Sequence, residues 1–121
     1  MNWRVDIDGL RLRSLNELLR MNPKARARLV AKEREQVCIM LLGKIGLTPP
    51  KLPLVVTIVR IGPKALDGHD NLPGACKSTV DEVTRYLGLT SDADARVTWA
   101  YRQERGKYGV RLEIAGRERG T

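Results

Sequence analysis

The chain has 121 residues, enough for one domain, and its 42% apolar and 30% charged residues are those of a globular fold. Its 22 Lys and Arg against 14 Asp and Glu leave a formal charge of +8, which points to a polyanionic partner, nucleic acid before an anionic membrane surface. The longest apolar run, Val37 to Leu42, is six residues, far short of the ~20 of a membrane span.

The N-terminus shows no apolar stretch of signal-peptide type. One histidine and two separated cysteines supply neither a zinc set nor a disulfide framework. Cys38 and Cys76 therefore read as reduced, half-buried small hydrophobes of a cytoplasmic protein. Any chemistry has to come from carboxylates, lysines or a hard metal ion.

In chain order, Trp3-Arg-Val-Asp-Ile7 alternates like a strand with one buried face. Ser14-Leu-Asn-Glu17 has capping-box spacing and opens either a short helix or a loop. Asn22-Pro23 starts a helix running to about Gly43 or Ile45. From Arg20 to Arg34 it is basic: Arg20, Lys24, Arg26, Arg28, Lys32 and Arg34 stand against a single acid, Glu33. Such an imbalance matches a phosphate-tracking surface. The apolar run Val37–Leu42 is predicted to be surrounded by protein, a partner subunit being one source of that cover.

Leu54 to Arg60 reads as a central strand. A helix beginning near Pro73 carries a stripe of Cys76, Val80, Val83 and Leu87 and ends at Gly88. Val97–Tyr101 and Tyr108–Ile114 close the chain as two strands joined by a hairpin turn at Gly106-Lys107. The expected architecture is α/β (α+β), a small mixed sheet with two main helices. It is one domain over residues 1–115, followed by a frayed tail over 116–121.

Asp67, Asp70, Asp92 and Asp94 fall in loops flanking the two ends of the second helix. Each is either a cap or turn residue or part of a carboxylate set for Mg²⁺, which takes one or two carboxylates plus waters and phosphate oxygens. His69 is either a solvated loop residue or one with a metal or proton-transfer role. Lys77, Asp81 and Arg85 form an i, i+4, i+8 row, either a surface ion-pair row or a place where Lys77 steadies phosphate charge.

Asp70-Asn71-Leu72, the helix bearing Lys77 and Asp81, Leu87-Gly-Leu-Thr-Ser-Asp92 and the two closing strands together resemble the RusA-like Holliday-junction resolvases of phages and prophages. The resemblance runs from the first strand to Ile114 and is most specific from Leu66 to Val97. It implies an intertwined homodimer that cuts branched DNA with Mg²⁺ or Mn²⁺. Asp70 and Asp92 would be metal ligands and catalytic residues, Asp67 a further ligand, and Lys77 the assisting lysine, with the basic helix on the DNA. Asp94 is the alternative to Asp92. Gly68 stands where the family's signature has its first aspartate, so Asp67 substitutes only if the loop bulges. Residues Pro73–Ala75 lengthen the step from Asn71 to Lys77. A fold-retaining DNA-binding protein without catalysis and an assembly subunit meeting an acidic protein are the other two readings.

Overall fold

A computed structural model describes residues 2–66 and 71–117. The elements are β1 (Asn2–Asp8), α1 (Leu15–Leu19), α2 (Pro23–Lys44), β2 (Leu54–Gly62), α3 (Leu72–Ala75), α4 (Lys77–Tyr86), β3 (Val97–Arg105) and β4 (Gly109–Gly116). They make a small α+β domain with one four-stranded mixed sheet in the order β1-β4-β2-β3.

β2 is β-branched along most of its length and takes a central place, antiparallel to β4 and parallel to β3. A parallel pair needs a crossover, which α3 and α4 provide between β2 and β3. One face of the sheet presents Val5, Ile7, Val56, Ile58, Val110, Leu112 and Ile114. Val37 and Leu41 of α2 and the α4 stripe Cys76, Val80, Val83 and Leu87 close the core against it.

The opposite face is ionic. Arg111 is flanked by Glu104 and Glu113, and Arg102 donates to Glu113 at 2.8 Å. Val59 pairs in register with both Arg102 and Arg111 and is fully buried on that face. The aliphatic stems of the arginines supply apolar cover there, as long charged side chains commonly do.

The closing strands are not a hairpin. β3 and β4 both bond to β2, which lies between them. Residues 106–108 cross the end of β2, a span of two strand spacings, about 9.6 Å. Gly106 N–H donates to the Gly62 carbonyl at 3.1 Å. A Cβ on Gly106 would stand 3.2 Å from Ile61 Cγ2, a tight contact that the isoleucine methyl would have to yield to. Adjacency in sequence suggested direct pairing. The gain from burying β2 on both edges decided otherwise.

Other expectations are met or sharpened. Ser14 caps α1 by accepting from Glu17 N–H at 3.1 Å, and Asn22 caps α2 by accepting from Lys24 N–H at 2.9 Å. The helix expected from Pro73 is two helices joined at Cys76, whose backbone (φ −91°, ψ 4°) leaves the helical region. Cys76 is wholly buried, and burial pushes its thiol up to about 12. Cys38 is half-buried. β4 runs to Gly116, and Arg117 bonds to the Pro53 and Ala95 carbonyls and to Thr98 Oγ1. The ordered fold therefore extends past residue 115, and residues 118–121 lie outside the described part.

Among the described residues, nothing encloses the whole apolar run of α2. Val37 and Leu41 are buried, but Ile39 is 57% exposed, and Met40 and Leu42 are also exposed. One face of a helix is all that a single layer of sheet and α4 can cover. Among the described residues, no helix is long and apolar enough to cross a membrane.

Glu33, the lone acid of the basic segment, is buried between α2 and α4 and accepts from Ser78 Oγ at 2.9 Å. Burial raises its carboxyl above the ordinary 4.5, opposed in part by the Ser78 hydrogen bond and Arg13. The folded state then holds the proton more tightly than the unfolded chain. The stability this proton contributes is complete below the unfolded value and is lost as pH rises through the folded one. The stability of Glu33→Gln minus that of wild type, from urea unfolding between pH 4 and 7, should therefore rise with pH. A flat difference would contradict the assignment.

Candidate functional site

α4 begins with a lysine, the wrong charge for the positive end of a helix. Two carboxylates offset it. Lys77 Nζ lies 2.7 Å from Asp92 Oδ2 and 3.0 Å from Asp81 Oδ1. The Asp81 contact is an ordinary i, i+4 pair. The Asp92 contact is not local, since α4 and its following turn separate the two residues.

Gly88 makes that return possible. Its φ of +76° suits a residue without a side chain, and Leu89 N–H donates back to the Thr84 carbonyl at 3.1 Å, the closing bond of a Schellman turn. The chain then doubles back along α4. Trp99 of β3 holds the loop by donating its indole N–H to the Asp92 carbonyl at 2.9 Å. Tyr101, two residues on and on the same face, is close enough to Asp92 and Lys77 to feel both charges; burial is the first cause of its raised hydroxyl, followed by Cys76 and Asp92. Further along that face, Gln103 grips Leu66, accepting from its N–H at 2.8 Å.

The hydrogen bonds from Lys77 to Asp92, and next to Asp81, raise the ammonium above its ordinary value. It is a fixed positive charge at neutral pH and cannot serve as a base. Asp94 behaves differently from Asp92. It accepts from the backbone and side chain of Arg96, and those bonds lower its carboxyl to about 2. Asp94 is thus a turn residue committed to its neighbour, whereas Asp92 is the carboxylate brought to Lys77.

Asp67, His69 and Asp70 lie outside the described residues. Asn71, the neighbour of Asp70 in the chain, caps α3 by accepting from Gly74 N–H at 3.1 Å. Among the described residues, no three of His, Cys, Asp and Glu converge as a metal set. Asp81 and Asp92 do place two hard oxygen donors around one point, the donor type that Mg²⁺ takes.

The six basic residues expected to act together are split by the geometry of α2. Lys24, Arg28 and Lys32 recur every four residues and form one exposed row, with no ion pair among the described residues. Arg26 and Arg34 are half-buried on the side toward α4. Arg26 reaches the Leu18 carbonyl at 3.4 Å, and Arg34 reaches Glu82 at 3.1 Å. Arg20 caps the end of α1. Arg34 lines the same groove as Lys77, Asp81 and Asp92.

Sequence reading missed Glu82, Trp99 and Gln103 as parts of this region. A carboxylate wedged between Val80 and Val83 of the apolar stripe was a usable signal for Glu82. The other two sit on a strand where core packing is the default. A scan against protein-family models gives no match, and a search of curated proteins gives no relative.

Proposed function

We propose that this chain is a Mg²⁺-dependent, structure-selective endodeoxyribonuclease that cuts Holliday junctions and other branched DNA by phosphodiester hydrolysis, acting as a cytoplasmic homodimer. The observation that carries the reading is the Lys77–Asp92 contact of 2.7 Å. It puts a cation at a helix start, where local electrostatics disfavour it, and returns a distant loop carboxylate to meet it. Conflicts of that kind concentrate at functional sites. The exposed Lys24, Arg28 and Lys32 row supports a phosphate backbone as partner. The uncovered Ile39, Met40 and Leu42 support a second subunit.

Asp92, with Asp70 and Asp67, would hold the metal, and Asp81 adds an oxygen donor beside them. When bound, Mg²⁺ (or Mn²⁺) would polarise the phosphate and lower the pKa of a bound water. Lys77 would steady the charge that develops on the phosphate. A two-fold dimer would offer two such sites to a two-fold substrate.

The test is cleavage of a synthetic four-way junction in Mg²⁺ or Mn²⁺. Wild type should cut, and Asp92→Asn and Asp70→Asn should each lose at least about 100-fold, the scale of removing one such group. Equal cutting by all three proteins refutes the site. A second reading draws on the same contact: the Lys77 ammonium occupies the place beside Asp92 where a cation would sit, as in a junction-binding protein without catalysis. It predicts salt-sensitive binding that ignores Mg²⁺, and no cleavage by wild type.

A further inference from the structure

Glu82 is 3% exposed, yet it serves two guanidinium groups from two different helices. It accepts from Arg34 Nε at 3.1 Å, and Arg85 Nη1 stands 3.8 Å away, beyond hydrogen-bond reach. One carboxylate shared by two guanidinium groups cannot fill the donors of both. Among the described residues Arg34 spends only its Nε, on Glu82, so its terminal nitrogens remain. Arg85 has a side chain 74% exposed and no other partner among the described residues.

Both arginines line two adjoining grooves. One runs between α2 and α4; the other lies between α4 and the returning loop, with Lys77, Ser91 and Asp92 on its wall. Lys77 is already occupied by Asp81 and Asp92; among the described residues, Arg34 and Arg85 are the cations with donors to spare that line both grooves, whereas Arg26 lines only the first. Guanidinium groups present paired N–H donors that match phosphate oxygens.

We propose that Arg34 and Arg85, set by the buried Glu82, form a seat for a backbone phosphate of the nucleic-acid strand next to the Lys77–Asp92 site, Glu82 acting as a positioning residue. The proposal rests on the nucleic-acid reading above, but not on catalysis. Arg85 and Glu82 join α4 to the binding surface, and Arg34 is the described basic residue of α2 that lines both of its grooves. A structural role alone, tying α2 to α4, would need neither Arg85 nor the unspent donors of Arg34.

The experiment is binding of a fluorescent four-way junction in EDTA across a salt series. Arg34→Ala and Arg85→Ala should each weaken binding by about tenfold and reduce the slope of log K against log salt by about one. Lys107→Ala, which removes the same charge at the β3–β4 crossing, should leave the slope as in wild type. In a Glu82→Gln background, Arg85→Ala should cost clearly less than in wild type, a coupling that loss of stability would not produce. Arg85 is a surface residue, so its variant remains informative if Arg34→Ala fails to fold. Wild-type affinity and slope for Arg85→Ala would overturn the seat even if the protein cleaves. So would failure of wild type to bind the junction at low salt. Weakened binding as expected, with no cleavage in Mg²⁺, would sustain the seat and sink the nuclease reading.

Discussion

Lys77→Met is expected to slow cleavage of a four-way junction by about 10²–10³-fold, while leaving junction binding in EDTA within a few-fold of wild type. The split follows from what the ammonium does. It is paired to Asp92 and Asp81 in the resting protein, so removing it costs little ground-state contact with DNA. Its value lies in the charge that develops during phosphoryl transfer, where only interactions stronger in the transition state raise the rate. The same substitution removes the ammonium that competes for Asp92. Mn²⁺ binding, followed by calorimetry or electron paramagnetic resonance, should therefore tighten rather than weaken.

Two further readouts separate Lys77 from a base. Its carboxylate partners raise it in the metal-free protein, and even at its ordinary value an ammonium stays charged through neutral pH, so the rate–pH profile should show no falling limb from Lys77 near neutrality. Lys77→Arg, which keeps the charge, should recover part of the lost rate. An unchanged rate for Lys77→Met would remove the lysine from the mechanism.

The second large effect is on stability. Ile58 is fully buried and pairs in register with Leu112 on one side and Tyr101 on the other. Ile58→Ala should cost about 2–5 kcal/mol, the loss of transfer energy plus a cavity, out of a total near 5–15 kcal/mol for a domain. Ile39→Ala, by contrast, should fall within about 0.5 kcal/mol at low protein concentration, because that side chain is 57% exposed. Urea unfolding decides both. If two copies meet over Ile39, its substitution shifts the concentration at which the dimer forms, as sedimentation would show. A cost for Ile39→Ala at low concentration as large as that for Ile58→Ala would contradict the packing described above.

Those two isoleucines illustrate how far local pattern reaches. Ile39 sits in the longest apolar run of the chain and Ile58 in a β-branched one; by composition they are equals. Only the packing of α2 against α4 and the sheet distinguishes a buried Val37 and Leu41 from an exposed Ile39 and Met40.

Properties that depend on a few adjacent residues were set by the sequence alone. Ser14 and Asn22 cap their helices because a side-chain oxygen two or three residues from an orphan N–H needs no distant partner. Gly88 ends α4 because a positive φ favours glycine wherever the helix lies. The α4 stripe, the central character of β2 and the basic bias of α2 follow likewise from periodicity and composition. What tertiary structure decided is whatever requires choosing among partners far apart in the chain. β3 leaves β4 to pair with β2, since burying the most β-branched strand on both edges outweighs the short connection of a hairpin. The row of cations on α2 divides because the helix must turn Arg26 and Arg34 toward α4 to bury Val37 and Leu41. Asp92 rather than Asp94 meets Lys77, since Trp99 anchors one while Arg96 captures the other; the two aspartates differ by two positions in sequence, but by their entire surroundings in space.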